Sequence, residues 1–134
     1  MIRDYVSLDL ETTGLDPKKD KIIEIGAVRI RDGVIKEHFS CLLNPGRILS
    51  ETVTGLTGIK DEELKDAPYI EEVIAELLNF IGDDILLGHS VLFDFSFVKR
   101  AAVNKKLSFE KKAVDTLKIA RKYLPELESR SLSA

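Results

Sequence analysis

Two carboxylates stand two residues apart in Val6-Ser7-Leu8-Asp9-Leu10-Glu11-Thr12-Thr13-Gly14-Leu15. An extended strand repeats every two residues, so Asp9 and Glu11 fall on one face and Val6, Leu8 and Leu10 on the other. Like charges that close repel each other and lose water on burial unless a cation lies between them. Mg²⁺ and Mn²⁺ are the ions that hard carboxylate oxygens hold. A solvated strand end, with a turn starting at Glu11 and Thr12, accounts for the same spacing. The choice depends on what other elements bring to this end of the strand.

A third carboxylate is placed to join them. Ile85-Leu86-Leu87-Gly88 is a short, continuously apolar run of the kind expected of a buried parallel strand, and His89-Ser90 follows it. From Phe93 to about Val103 the pattern turns helical, which sets Asp94 in a first helical turn, where the helix dipole favours an anion. Open α/β sheets carry their sites at the carboxyl ends of parallel strands. Asp9, Glu11 and Asp94 would then share one end of neighbouring strands, the minimum for metal-assisted phosphodiester hydrolysis. Two ions roughly 3.5–4 Å apart would clamp the attacking and leaving oxygens. Taken alone, Asp94 reads equally as a helix cap.

The elements that must position these groups follow from periodicity and turn chemistry. Tyr5–Leu10 is a strand, and Gly14–Asp20 a loop in which Lys18-Lys19-Asp20 reads as exposed. Ile22–Ile30 and Val34–Leu43 are antiparallel strands joined at Asp32-Gly33, a strong hairpin signal. Glu24 interrupts the apolar second strand, either facing the site from behind or exposed on the hairpin. Residues 48–68 predict short helical turns, with Thr57 or Asp61 as the cap and Leu64 as an anchor. Tyr69–Ile81 is the clearest helix, with Ile70, Val73, Ile74, Leu77, Leu78 and Ile81 at helical spacing. Ala113-Val114-Asp115 predicts a last short strand, and Thr116–Tyr123 a helix ended near Pro125. The order β-β-β-α-β-α-β-α gives a single α/β domain over residues 1–134 with a mixed sheet of about five strands.

Composition narrows the rest. The chain has 134 residues, 44% of them hydrophobic and 32% charged, which suits one globular core. A single cysteine, Cys41, rules out an internal disulfide framework. No signal peptide is visible and no apolar run approaches the roughly 20 residues of a membrane span, so the expected location is cytoplasmic. The net charge of −3 hides an asymmetry. Lys99, Arg100, Lys105, Lys106, Lys111, Lys112, Lys118, Arg121 and Lys122 crowd residues 99–122 against only Glu110 and Asp115. Such a flank beside a carboxylate cluster suits a phosphodiester substrate, or simply solvates helix surfaces.

Asp9-Leu10-Glu11-Thr12-Thr13-Gly14-Leu15 resembles the first motif of the DEDD-type, DnaQ-like 3′–5′ exonucleases, the family of proofreading subunits and of the PolC exonuclease domain. Gly88-His89-Ser90-Val91-Leu92-Phe93-Asp94-Phe95-Ser96-Phe97 resembles the second, with Ser90 where the family usually has Asn. Ile22-Ile23-Glu24-Ile25-Gly26-Ala27, Thr54-Gly55-Leu56-Thr57 and Asp115-Thr116-Leu117 are similar to further stretches of that family. The resemblance implies a ribonuclease H-like fold and two Mg²⁺ or Mn²⁺ ions held by Asp9, Glu11 and Asp94. It implies a nucleotide site at Thr12, Thr13, Gly14 and Leu15, with Leu15 packed against the last base. Phe97 would line that site or, at its helical spacing, sit in the core. The implied partners are single-stranded DNA or the 3′ end of a duplex, with RNA as an alternative, and a polymerase subunit or fused polymerase domain.

The family's third motif is missing. It pairs a fourth aspartate with a histidine general base five residues earlier, a group that titrates near neutrality. The only histidines are His38, expected on the surface, and His89, which belongs to the second motif. Asp115 is rejected as the fourth ligand, because Glu110 stands five residues before it. The sequence therefore reads as a member cut short before the third motif, with three accounts open: a fragment, a domain completed by another segment or chain, or a naturally abbreviated protein. Loss of a last helix would bare part of the sheet and favour dimerisation. A catalytically silent member that binds single-stranded nucleic acid or a partner protein is the second functional reading.

Overall fold

The computed structural model describes residues 3–88, residues 90–109 and the strand backbone at 113–115. Within them the order is β1 (Tyr5–Thr12), β2 (Ile22–Arg31), β3 (Val34–Leu42), α1 (Glu51–Thr57), α2 (Asp61–Leu64), α3 (Ile70–Ile81), β4 (Leu86–Gly88), α4 (Val91–Asn104) and β5 (Ala113–Asp115). The described strands form one mixed sheet in the order β3-β2-β1-β4-β5. β1, β2 and β3 are an antiparallel meander, while β4 runs parallel to β1 and to β5. The α/β, ribonuclease H-like sheet of about five strands is what the sequence indicates. The helix expected at Thr116–Tyr123 lies outside the described residues.

Hydrophobic alternation fixes the sheet. Val6, Leu8 and Leu10 of β1 are buried, and Asp9 between them is exposed. The β2–β3 reversal takes positive φ at Asp32 (53°) and Gly33 (78°), the twist a two-residue hairpin needs. Against this sheet α3 lays Ile74, Leu77 and Ile81, each 0% exposed. Burying each of these side chains contributes on the order of 1.5–3 kcal/mol. A second, smaller cluster of Ile23, Leu49, Val53, Ile59 and Leu64 holds α1 and α2 in place.

The helix that Leu64 anchors, α2, starts from Lys60 and not from either expected cap, and Glu63 accepts the Lys60 N–H at 3.1 Å. Ser50 caps α1, its hydroxyl accepting the Val53 N–H at 3.1 Å. Thr57 instead closes the end of α1, donating to the Val53 carbonyl at 2.8 Å and accepting the Ile59 N–H at 3.1 Å. Asp61 accepts the Leu49 N–H at 2.9 Å and so ties α2 back to the segment before α1. Propensity cannot separate these hydroxyl and carboxylate positions, because each can serve a nearby amide.

The parallel β1–β4 contact is the tightest place in the sheet. A methyl group at Gly88 would come within 2.8 Å of the Leu8 carbonyl and 3.4 Å of Val91 Cβ. Gly55, within α1, has nothing within 4 Å of the same position. Two glycine-to-alanine changes should therefore act in opposite directions. Gly88→Ala should lower the urea midpoint, by about 1–3 kcal/mol of stability, through overpacking. Gly55→Ala should raise it by about 0.5–1 kcal/mol through helix propensity and a restricted unfolded chain. Urea titrations of both variants check the pair.

Candidate active site

β1 and β4 pair only through Val6–Leu86 and Ser7–Leu87. Beyond those residues β1 runs past the end of its parallel neighbour, and its outer edge needs another acceptor. Asp94 supplies it: its carboxylate accepts the Leu10 backbone N–H from the first turn of α4. The same side chain is 4% exposed, the one buried charged residue among those described. Asp94 is thus placed by three devices at once: the helix start, the strand end and the glycine that brings them together.

Its surroundings are hostile to a negative charge. Burial, and then the neighbouring carboxylates of Asp9 and Glu11, push the Asp94 carboxyl up to about 7. The Leu10 N–H pulls the other way. Glu11 is also raised, by burial first, then by Asp9 and by Glu24. Glu24 stands directly opposite Glu11 on β2 and is half-buried, so it faces the site and is not a solvated hairpin residue. The three expected carboxylates therefore lie within electrostatic reach of one another. They do not converge on a common point: among the described residues no three carboxylate, imidazole or thiol groups stand close enough to hold an ion together. The donor set is still that of a hard divalent cation, all oxygen and mutually repelling, and a cation is what would relieve the strain on Asp94.

Beside Glu11 the chain forms an open hollow of about 500 Å³. Glu11 through Leu15 make one wall, and Thr52, Leu56 and Thr57 of α1 face them, with Phe93 at the edge. Leu15 and Leu56 are 83% and 82% exposed, two large apolar side chains in solvent across one hollow. Thr12, Thr13, Gly14 and Leu15 thus all reach the hollow. Phe97 does not: it is 3% exposed and packs in the main core, its ring 5.0 Å from that of Phe93. Phe93, one turn earlier on α4 and half-buried against the same core, borders the hollow instead.

The sequence also misplaces Asp20, which reads as exposed within Lys18-Lys19-Asp20. Its carboxylate is half-buried, accepting the Asp16 N–H at 3.0 Å and the Thr13 hydroxyl at 3.2 Å. Thr13 in turn accepts the Lys21 N–H at 2.9 Å, and Arg47 approaches Asp20 at 3.8 Å. Gly14 is where this carboxylate packs on the backbone; a Cβ there would fall 2.4 Å from Asp20 Oδ2. Asp20 therefore holds the wall of the hollow in shape. The only hint in sequence is its place just before an apolar strand.

Two outcomes follow from this geometry. Without divalent ions, the folded protein keeps the Asp94 proton up to about pH 7, whereas the unfolded carboxyl loses it near 4. The native state binds more protons between those values, so stability must fall as pH rises from 4 to 7 and level off above. Three units at about 1.4 kcal/mol each set a ceiling of about 4 kcal/mol. Asp94→Asn or millimolar Mg²⁺ should flatten the slope measured by urea unfolding at pH 5 and pH 8. Asp20→Ala should speed tryptic cleavage after Lys18 or Lys19 by more than it speeds global unfolding, read by mass spectrometry of the limit fragments.

The RNase_T exonuclease family model matches residues 6–134. DNA polymerase III subunit epsilon of Aquifex aeolicus is 41% identical over 129 residues, covering 96% of this chain and 64% of that protein. The PolC-type DNA polymerase III of Bacillus subtilis is 42% identical over 132 residues, 96% of this chain but 9% of the larger one. The chain thus spans less than two thirds of either relative. Among solved structures, exonuclease X in complex with 5′ overhanging duplex DNA superposes with a TM-score of 0.66 at 29% identity, over 90% of this chain and 64% of that one. Exonuclease I of E. coli with a dA13 oligonucleotide shares the fold at a TM-score of 0.76 and 19% identity, over 90% of this chain and 29% of that one. On the family match over residues 6–134 and the identity to these relatives, the chain belongs to the RNase_T exonuclease family, of the DnaQ-like kind.

Proposed function

We propose that this chain is the core of a divalent-metal-dependent 3′–5′ exonuclease that removes nucleotides from a DNA 3′ end during replication proofreading. The observation that carries the reading is the buried Asp94, held against Leu10 beside Asp9 and Glu11 and next to an open, mostly apolar hollow. A buried carboxyl with a strongly raised pKa, in a cluster of its own sign, costs stability and marks a functional site more often than a structural one. The similarity to the epsilon subunit and PolC supports DNA as substrate and a polymerase as the partner or fused neighbour. A cytoplasmic location goes with that reading, and no described helix is long and apolar enough to cross a membrane.

In this reading Asp9, Glu11 and Asp94 would hold two Mg²⁺ or Mn²⁺ ions, which would supply Lewis-acid charge neutralisation at the scissile phosphate. The protein's own part is positional. The Thr12–Leu15 wall and Leu56 would grip the terminal nucleotide, Leu15 against its base and the backbone of Thr13-Gly14 along its sugar. Phe93 would meet the next base. Asp20 keeps that wall rigid. No residue of this chain is assigned as general base; His38 is exposed on β3, on the strand two places removed from β1.

A second reading, a family member that grips single-stranded nucleic acid or a partner protein without cutting, is favoured by the lack of convergence among the three carboxylates. One assay separates the two. With a 3′-labelled strand and Mg²⁺ or Mn²⁺, the full-length wild-type protein should release mononucleotides. Asp9→Ala and Asp94→Ala should each lower the rate by at least ~100-fold while circular dichroism stays native. Wild-type activity that survives either change would sink the assignment, and binding without cleavage by the wild type would establish the second reading.

A further inference from the structure

The loop that leaves the nucleotide hollow at Leu15 runs on to Lys21. On its far side it faces the outer surface of α4, where a second hollow of about 460 Å³ opens between Pro17, Lys18, Phe95, Lys99, Arg100 and Val103. Its floor is mostly apolar, from Pro17, Phe95 and Val103, and its rim is cationic. A third, smaller hollow continues past Arg100 to Lys21 and Asn104. Pro17, Lys18 and Arg100 border both, so the two are one continuous surface.

Lys18, Lys21 and Arg100 make no ion pair among the described residues. Lys99 is anchored, donating to the Phe109 carbonyl at 2.9 Å. The acids nearby are Asp16, whose oxygens serve the turn at Lys18, Asp20, engaged by the loop and Arg47, and Glu71 at the rim of the third hollow. Phe95 is half-buried with its ring 5.2 Å from Phe109, which leaves part of the ring open to the hollow.

We propose that this surface carries the single strand upstream of the nucleotide being removed, with bases on the Pro17–Phe95–Val103 floor and phosphates on Lys18 and Arg100. The proposal rests on the reading of the neighbouring hollow as the 3′-terminal site. A floor of flat apolar groups with cations along its edge is the arrangement that single-stranded nucleic acid recognises. An acidic peptide would use the cations and leave the floor bare. From Asp94 to Val103 the helix rises about 13 Å, at 1.5 Å per residue, which is room for a few nucleotides beyond the cut. The excess of lysine and arginine over residues 99–122 then begins at the strand's path; its part beyond Phe109 lies outside the described residues.

Fluorescence anisotropy with the full chain tests this, using labelled dT3 and dT12 with Ca²⁺ in place of Mg²⁺. The wild type should bind dT12 at least about tenfold more tightly than dT3. The double variant Lys18→Glu/Arg100→Glu, both on the surface, should lose that advantage and keep wild-type affinity for dT3. Its slope of log K against log salt for dT12 should fall by about 1.4, two phosphate contacts at roughly 0.7 each. A dT12 advantage that survives the double variant overturns the proposal, as does equal wild-type affinity for dT3 and dT12. Polyglutamate that competes with dT12 as well as unlabelled dT12 does overturns it too, since the floor would then add nothing. Wild-type protein that binds dT12 through Lys18 and Arg100 but ignores dT3 upholds the surface and contradicts the terminal site.

Discussion

The structure turns on one buried carboxylate. Asp94 sits where β4 has ended and β1 has not, and it accepts the Leu10 N–H that a longer parallel strand would have bonded. That bond fixes α4 to β1, and the close approach at Gly88 leaves no slack between them. The arrangement is costly, because burial and the charges of Asp9 and Glu11 oppose ionisation of the same group. A fold selected for stability alone would place an apolar or amide side chain there. Retaining the acid makes sense when a cation is to be held, and the family to which the chain belongs agrees with that.

Charge is distributed to match. The negative cluster at the ends of β1 and β4 draws in a fourth acid, Glu24, across the β1–β2 ladder, so the field at Glu11 comes from its own strand and from β2. On the far side of the Leu15–Lys21 loop the sign reverses, with Lys18, Lys21 and Arg100 unpaired among the described residues. A polyanion approaching the molecule meets attraction along α4 and repulsion at the carboxylates, unless cations come with it. One loop separates the two fields, and Asp20 is the group that holds its shape.

Much of this was legible in the sequence. The meander follows from alternation and a hairpin dipeptide, α3 from a 3.6-residue period, the parallel β4 from a continuous apolar run, and the first two carboxylates from strand geometry. What escaped was tertiary. Asp20 sits in a lysine-rich turn whose composition says solvent, yet its carboxylate reaches back to Thr13 and Asp16. Phe93 and Phe97 lie one turn apart on α4, and only the packing of α4 on the sheet decides which ring is core and which faces the hollow. Neither Thr57 nor Asp61 caps the helix that Leu64 anchors: the backbone path puts Lys60 at that position, and Glu63 one turn on takes the Lys60 N–H. The carboxylate motif was legible as chemistry but not as geometry: spacing placed the acids at one end of the sheet without bringing three of them to a single point.

The central claim is that Asp9, Glu11 and Asp94 are held apart by charge and together by fold so as to receive divalent cations. Crystals of the full chain grown above pH 7 with Mn²⁺ test it most directly, through anomalous scattering at the manganese edge. The account predicts anomalous peaks bounded by these three carboxylates, with the side chains drawn inward around them. Saturating Mn²⁺ that leaves no peak there, or that binds only elsewhere on the surface, would contradict it.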